Sequence, residues 1–264
     1  MTEIVAVANQ KGGVAKTTTV HSLGAALAER GQRVLLVDLD PQACLTYSAG
    51  VDPDGLELSL YDVFIGKAGA AEIRVVAGDL DLLPSSIDMA GAEVHLLTRP
   101  GREYALGRAL ATMEHEYDTV LIDCPPSLGV LTINGLTAAR RVLIPLQCET
   151  LSHRGVGQLM ETIADIRSFT NAGLEVIGVV ATMFDPRTRL AHETLAAVGR
   201  SYDLPVLEPA VPKSVRVAEA PGKGQSVLRH APHSPAAEAY RELAGLLDRR
   251  TDRPSTGTGG DGDR

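Results

Sequence analysis

Short apolar runs rich in β-branched residues alternate along the chain with stretches in which apolar side chains recur every three to four positions. The runs IVAVA (4–8), RVLLVDL (33–39), LDLLP (80–84), TVLIDC (119–124), RVLIPL (141–146) and VIGVVAT (176–182) lack the polar alternation of a half-exposed strand. Such runs predict strands buried on both faces, and therefore a mainly parallel sheet. Between them, Val20, Leu23 and Leu27 share one helical face that stops near Gly31. Leu106, Leu110 and Met113 form a second such face, and Val156, Leu159, Met160, Ile163 and Ile166 a third. Strand, helix, strand in repetition implies right-handed crossovers. The expected fold class is α/β: a doubly wound, mostly parallel sheet with helices on both faces.

Residues 1–250 read as a single domain. The 50–78 region, with scattered Gly and Asp and a short helical pattern from Leu60 to Phe64, reads as an elaborated crossover. PAAEAYRELAGLLDRR (235–250) carries an apolar stripe of Ala236, Ala239, Tyr240, Leu243 and Leu247, and its other face mixes acids with bases. That pattern predicts packing against the domain. From 251 onward, TDRPSTGTGGDGDR has no apolar residue with which to build a core, so a disordered polar tail is expected.

Composition narrows the picture a little. At 264 residues and 44% hydrophobic content the chain has material for a sizeable core. A net charge of −8 excludes a protein basic over its whole surface, while leaving room for a local phosphate-binding patch. The three cysteines, Cys44, Cys124 and Cys148, are far apart and form no C-x-x-C pair, which predicts reduced structural thiols in a cytoplasmic protein. The opening TEIVAVANQ is too short for a signal peptide, and no apolar run approaches the ~18 residues that span a bilayer.

The candidate chemistry lies in NQKGGVAKTTTVH (9–21), where the first apolar run gives way to the first helical pattern. In an open α/β sheet this turn sits beyond a strand's carboxyl end and presents the free N–H groups of a helix N-terminus. Gly12 and Gly13 let the backbone bend close to a polyphosphate. Lys16 supplies a point charge between the outer phosphates, and the Thr17 hydroxyl is a magnesium ligand. A strict Walker A motif wants glycine where Gln10 and Ala15 stand, so the strict pattern fails. The methyl of Ala15 is tolerated at negative φ and costs about 1 kcal/mol if φ is positive.

Two further runs end in aspartates, VDLDPQ (37–42) and LIDCPPS (121–127), at the same predicted sheet edge. Magnesium keeps several waters in an octahedral shell, so one carboxylate, Asp123, is enough to hold it there. Asp40 is the candidate for orienting an attacking water, with Asp38 in support.

The sequence Lys-Gly-Gly-Val-Ala-Lys-Thr resembles the deviant Walker A motif of the ParA/MinD ATPases. Further landmarks, in order, are LLVDLDPQ, LLPSSIDMAGAE, YDTVLIDCPPSLG, LTINGLTAA, VLIPLQCE, ATMFDPRT and VPKSVRVAEAPGKGQSV. They make residues 3 to about 247 similar to the ParA-type, Soj-like partition ATPases. The resemblance implies ATP and Mg2+ as cofactors, with Lys11, Gly12, Gly13, Val14, Ala15, Lys16, Thr17 and Thr18 around the phosphates. It also implies Met183 and Pro212 in segments flanking the adenine. Lys11 is expected to reach the nucleotide of a second subunit in an ATP-bound homodimer. Such a dimer binds double-stranded DNA without sequence preference, through Arg187, Arg216 and Lys213, and a ParB-type centromere-binding partner accelerates its slow hydrolysis. A nucleoid-associated cytoplasmic location follows.

Three rivals remain. A MinD-type membrane protein needs a basic amphipathic C-terminal helix. Metabolic relatives divide into ligases, which need a further substrate pocket with no signature here, and iron-protein reductases, which need dedicated cluster cysteines. A P-loop relic without hydrolysis is the third.

Overall fold

The computed structural model describes residues 2–149 and 152–248. Eight strands, β1 (Glu3–Val7), β2 (Val34–Asp38), β3 (Val75–Ala77), β4 (Leu80–Leu83), β5 (Thr119–Asp123), β6 (Arg141–Gln147), β7 (Glu175–Thr182) and β8 (Val206–Leu207), form one sheet in the order β3-β4-β2-β5-β1-β6-β7-β8. All six apolar runs are strands. The two additions, β3 and β8, are short edge strands of three and two residues, too brief to leave a periodic signal. Pairing is parallel throughout except between β3 and β4.

The helices are α1 (Lys16–Glu29), α2 (Cys44–Ser48), α3 (Leu60–Ile65), α4 (Met89–Leu97), α5 (Ala105–Ala111), α6 (Val130–Ala138), α7 (Ser152–Phe169), α8 (Arg189–Tyr202), α9 (Val215–Glu219), α10 (Val227–His230) and α11 (Pro235–Leu247). They cover both sheet faces over two apolar cores: α3 to α8 contribute to one, and α1, α2, α10 and α11 to the other. The doubly wound arrangement is therefore present. One helical expectation needs correction. Met113 is buried, but α5 ends at Ala111, and Met113 reaches the core from the turn that follows.

Helix α11 shows why the C-terminal stripe is a core element. Ser234 caps it by accepting from Ala237 N at 3.2 Å, and Pro235 supplies a helix-ready φ at the first position. Ala236, Ala239, Tyr240, Leu243 and Leu247 are all buried, and the Tyr240 hydroxyl lies 3.2 Å from Thr19 Oγ1 on α1. Burying a leucine-sized side chain contributes about 1.5–3 kcal/mol, so this stripe is bound to the domain. Among the described residues no helix is long and apolar enough to cross a membrane. The tail expected from 251 lies outside the described residues.

Strand register positions the site. Val7 pairs with Asp123, and Asp38 pairs with Asp123 from the other side, so the ends of β1, β2 and β5 form one edge.

Candidate active site

The loop between β1 and α1 is pinned at both ends. Asn9 Nδ2 donates to Pro145 O at 2.7 Å and its Oδ1 accepts from Lys11 N at 3.0 Å, while Thr182 Oγ1 donates to Val14 O at 3.0 Å. Gly12 and Gly13 are exposed, Val14 is buried, and Ala15 and Thr18 are half-buried. Ala15 has φ 63° and ψ 33°, the left-handed region, so the methyl meets the costly of the two alternatives, about 1 kcal/mol. The carbonyl of Ala15 accepts from Thr19 N, and α1 opens immediately after it.

Lys16 is buried, and its Nζ crosses the loop to donate to Lys11 O at 3.2 Å. Burial lowers its pKa, against the pull of Asp123, Cys124 and Asp40. Thr17 Oγ1 donates to Asp123 Oδ2 at 2.6 Å. The other oxygen, Asp123 Oδ1, is buried with no hydrogen-bond donor. Burial first, and then the neighbouring Asp38, push Asp123 well above the usual carboxylate range. An orphaned carboxylate oxygen beside a hydroxyl is the donor set that a small hard cation takes, and a cation would relieve both the missing donor and the carboxylate repulsion.

Asp38 is fully spoken for. Its Oδ1 accepts from Asp40 N at 3.1 Å, and its Oδ2 accepts from Thr46 N and Thr46 Oγ1 at 2.9 and 2.7 Å. Burial pushes its pKa up to about 6 in spite of these bonds. Its work is to hold the 38–46 loop. The backbone carbonyl of Asp40 accepts from Ser85 Oγ at 2.8 Å, while its carboxylate accepts from Gln42 N at 2.9 Å. Asp40 thus stands at the sheet edge on a loop tied down at both its backbone and its neighbours.

The Lys11 side chain turns away from Lys16, and its Nζ pairs with Glu149 at 2.5 Å, with side-chain exposures of 29% and 53%. Glu149 was missed from the sequence. It sits in VLIPLQCE, but a glutamate after a strand has no spacing to a lysine 138 residues away. Asn9 and Ser85 were missed for the same reason, since Asn9 bonds Pro145 on β6 and Ser85 bonds Asp40 and Thr46, 45 and 39 residues away, while Thr46 sits eight residues from Asp38 with no motif to mark it.

The remaining candidates stand at the end of β7. Phe184 bridges Pro212, and Val211 N donates to Ala181 O, which brings the segments of Met183 and Pro212 together. Both residues are half-buried. Arg187 is 87% exposed and makes a bidentate pair with Asp185 at 3.0 and 2.8 Å. That guanidinium chiefly, with Lys213 nearby, holds the Asp185 carboxyl below its usual range. Arg216, 65% exposed, pairs with Glu219 at 3.0 Å, and the same carboxylate oxygen lies 3.3 Å from His230 Nε2.

Comparison with known proteins gives these arrangements a context. Residues 2–176 match the family described as "AAA domain". The sporulation initiation inhibitor protein Soj of Bacillus subtilis is 42% identical over 246 residues, covering 92% of this chain and 97% of the relative. The chromosome partitioning protein ParA of Caulobacter vibrioides is 42% identical over 255 residues, covering 95% and 96%. A crystal structure of cobyrinic acid a,c-diamide synthase from Mycobacterium smegmatis with bound ADP and magnesium is 52% identical, with a TM-score of 0.86 and 96% of each chain covered.

Proposed function

The chain belongs to the Soj/ParA family of chromosome-partitioning P-loop ATPases, and from that premise we propose that it is a nucleotide-driven dimer switch on DNA. In this reading the ATP-bound homodimer holds double-stranded DNA without sequence preference. Slow hydrolysis, accelerated by a ParB-type partner, releases it. The observation that carries the reading is the hydrogen bond of half-buried Thr17 Oγ1 to buried Asp123 Oδ2 at 2.6 Å, with Asp123 Oδ1 left without a donor beside Lys16.

Thr17 and Asp123 would hold magnesium, which would supply neutralisation of phosphate charge. Lys16 would meet the outer phosphates, and the N–H groups from Gly12 to Thr18 would donate to the remaining oxygens. Asp40 orients the attacking water and accepts its proton; Asp38, through Asp40 N and Thr46, keeps Asp40 in place. Met183 and Pro212 flank the base. Lys11 leaves Glu149 to reach the phosphates of the partner subunit's nucleotide. The exposure of this ion pair supports such an exchange, since an exposed pair is worth only about 0–1 kcal/mol. Arg187, Lys213 and Arg216 supply phosphate contacts, each weak alone and additive when dimerisation doubles them.

The test is fluorescence anisotropy with a random-sequence duplex. Binding is expected with Mg-ATP and absent with Mg-ADP, and turnover is expected to rise only when duplex and a ParB-type partner are both present. Equal binding with the two nucleotides would refute the switch.

The name of the M. smegmatis protein favours a second reading, ATP-dependent amide formation on a corrin acid. Glutamine-fed amidation needs a reactive thiolate, and the three thiols here are poorly suited to the role. Only Cys124 is buried, with Cys148 half-buried and Cys44 exposed, yet desolvation raises the pKa of all three, that of Cys148 to about 11. Phosphate release stimulated by cobyrinic acid with glutamine or ammonia, and not by duplex with partner, would select this reading.

A further inference from the structure

A cavity of about 480 Å3 opens on the α1 side of the sheet, and neither Lys16, Asp40 nor Asp123 lines it. The seam between α2 and the approach to α10 closes one wall: a β-carbon on Gly224 would stand 2.7 Å from Gly50 Cα. Its floor is apolar and small, with Ala25 and Ala28 from α1 and Leu228 from α10.

Among the described residues, three polar side chains lining this space make no hydrogen bond or ion pair: His21, which is buried, and Asp79 and Arg229, which are exposed. His21 is only 7% exposed, yet its imidazole makes no hydrogen bond to any described residue. Burial lowers its pKa to about 4, so near pH 7 the neutral ring offers one donor and one acceptor. Asp79, at the β3–β4 turn, and Arg229, on α10, carry opposite charges, and neither forms an ion pair among the described residues. Arg229 Nη1 stands 3.5 Å from the point where a β-carbon on Gly78 would lie, beside Asp79 in the chain, without closing on the Asp79 carboxylate. Two exposed, unpaired opposite charges at the rim of an apolar floor are the complement of a molecule that carries both charges on one end and hydrocarbon on the other.

We propose that this cavity is a second binding site, taking a free amino acid with an apolar side chain. Its carboxylate meets Arg229, its ammonium meets Asp79, its side chain lies on Ala25, Ala28 and Leu228, and His21 adds a hydrogen bond to the carboxylate. Lys16 and Thr17 occupy the first turn of α1 and His21 the second, so an occupied cavity adjoins the phosphate loop through a single helix.

The proposal is independent of the partition reading, and its test needs no nucleotide. The full chain, labelled at alanine methyls, is titrated with L-leucine and with L-phenylalanine, and then with their decarboxylated and deaminated analogues. Saturable shifts of the Ala25 and Ala28 methyls are expected with at least one amino acid, and about tenfold or greater weakening with each of its analogues, the loss of one charged contact. Arg229→Met and Asp79→Asn should each weaken that amino acid by a similar factor and leave distant alanine signals in place. The proposal is overturned by the absence of a saturable shift with both amino acids, by either analogue binding as tightly as its parent, or by undiminished binding in either variant.

Discussion

The edge around Lys16 and the edge around Arg216 are built on opposite principles. Around Lys16 the candidate groups are buried or half-buried and held by one another: Thr17 by Asp123, Asp40 by Asp38, Asp38 by Thr46, and the loop itself by Asn9 and Thr182. Around Arg216 and Arg187 the charges stand in water, each balanced by one nearby carboxylate. The first arrangement fixes geometry before a ligand arrives, and the sheet bears the desolvation cost. The second stores little energy, and on the proposed reading gains it only when a polyanion releases its counterions. Substitutions should therefore act steeply and singly at the first edge, and shallowly, additively and with strong salt dependence at the second.

The largest break of the contrast is Lys16→Ala, which removes the buried charge. Calorimetry should find Mg-ATP binding weakened at least about 100-fold, the scale of a preorganised electrostatic contact. Asp40→Ala should instead preserve binding and lower turnover by a similar factor; unchanged phosphate release would remove Asp40 from its role.

Next in size is the cost of burial itself, read on α1. The folded-state pKa of His21 lies near 4, below its ordinary 6.5, so the folded chain binds fewer protons than the unfolded chain between those values. The stability that neutral His21 preserves is complete above pH 6.5 and is lost as the pH falls toward 4, by up to about 3 kcal/mol. Asp38, with its pKa raised, slopes the other way over roughly the same window: its contribution is full below its ordinary value and lost as pH rises through about 6. The difference in urea stability between the parent and His21→Phe isolates the histidine. That difference should change with pH from 6.5 to 4, and a constant difference would contradict the burial.

At the exposed edge, Arg216→Ala should weaken duplex binding about tenfold at most and make the salt slope shallower by about 1 per chain. Asp185→Asn, on a surface-exposed pair, should leave the melting temperature unmoved. A small stabilisation is expected at Ala15, whose φ of 63° suits glycine: Ala15→Gly should raise Tm by about 2–4 °C, for roughly 1 kcal/mol of relieved strain. A fall in Tm would place the unfolded-state entropy of glycine above that strain.

The same contrast explains what could be read before the fold was known. Runs such as TVLIDC mark buried parallel strands because they lack polar alternation, and the spacing of Lys16, Thr17 and the glycines is dictated by a tight turn at a helix start. Those signals are local. The bond between Thr17 and Asp123 spans 106 residues and the pair of Lys11 and Glu149 spans 138, and only the sheet register brings such groups together. Local sequence does not decide the backbone at Ala15, because φ is set by the folded loop. Arg187 and Arg216 had no local spacing to mark them and rested on resemblance alone. Short edge strands such as β8 left no pattern at all.

Central to the account is a pair of chains closing over two nucleotides, with Lys11 exchanged from Glu149 to the opposite subunit. Multi-angle light scattering in the presence of magnesium and a non-hydrolysable ATP analogue measures this directly. The mass of two chains is predicted for the parent and of one chain for Lys11→Ala, with nucleotide binding to the single Lys11→Ala chain retained. A parent that stays at the mass of one chain with its nucleotide site saturated would contradict the account.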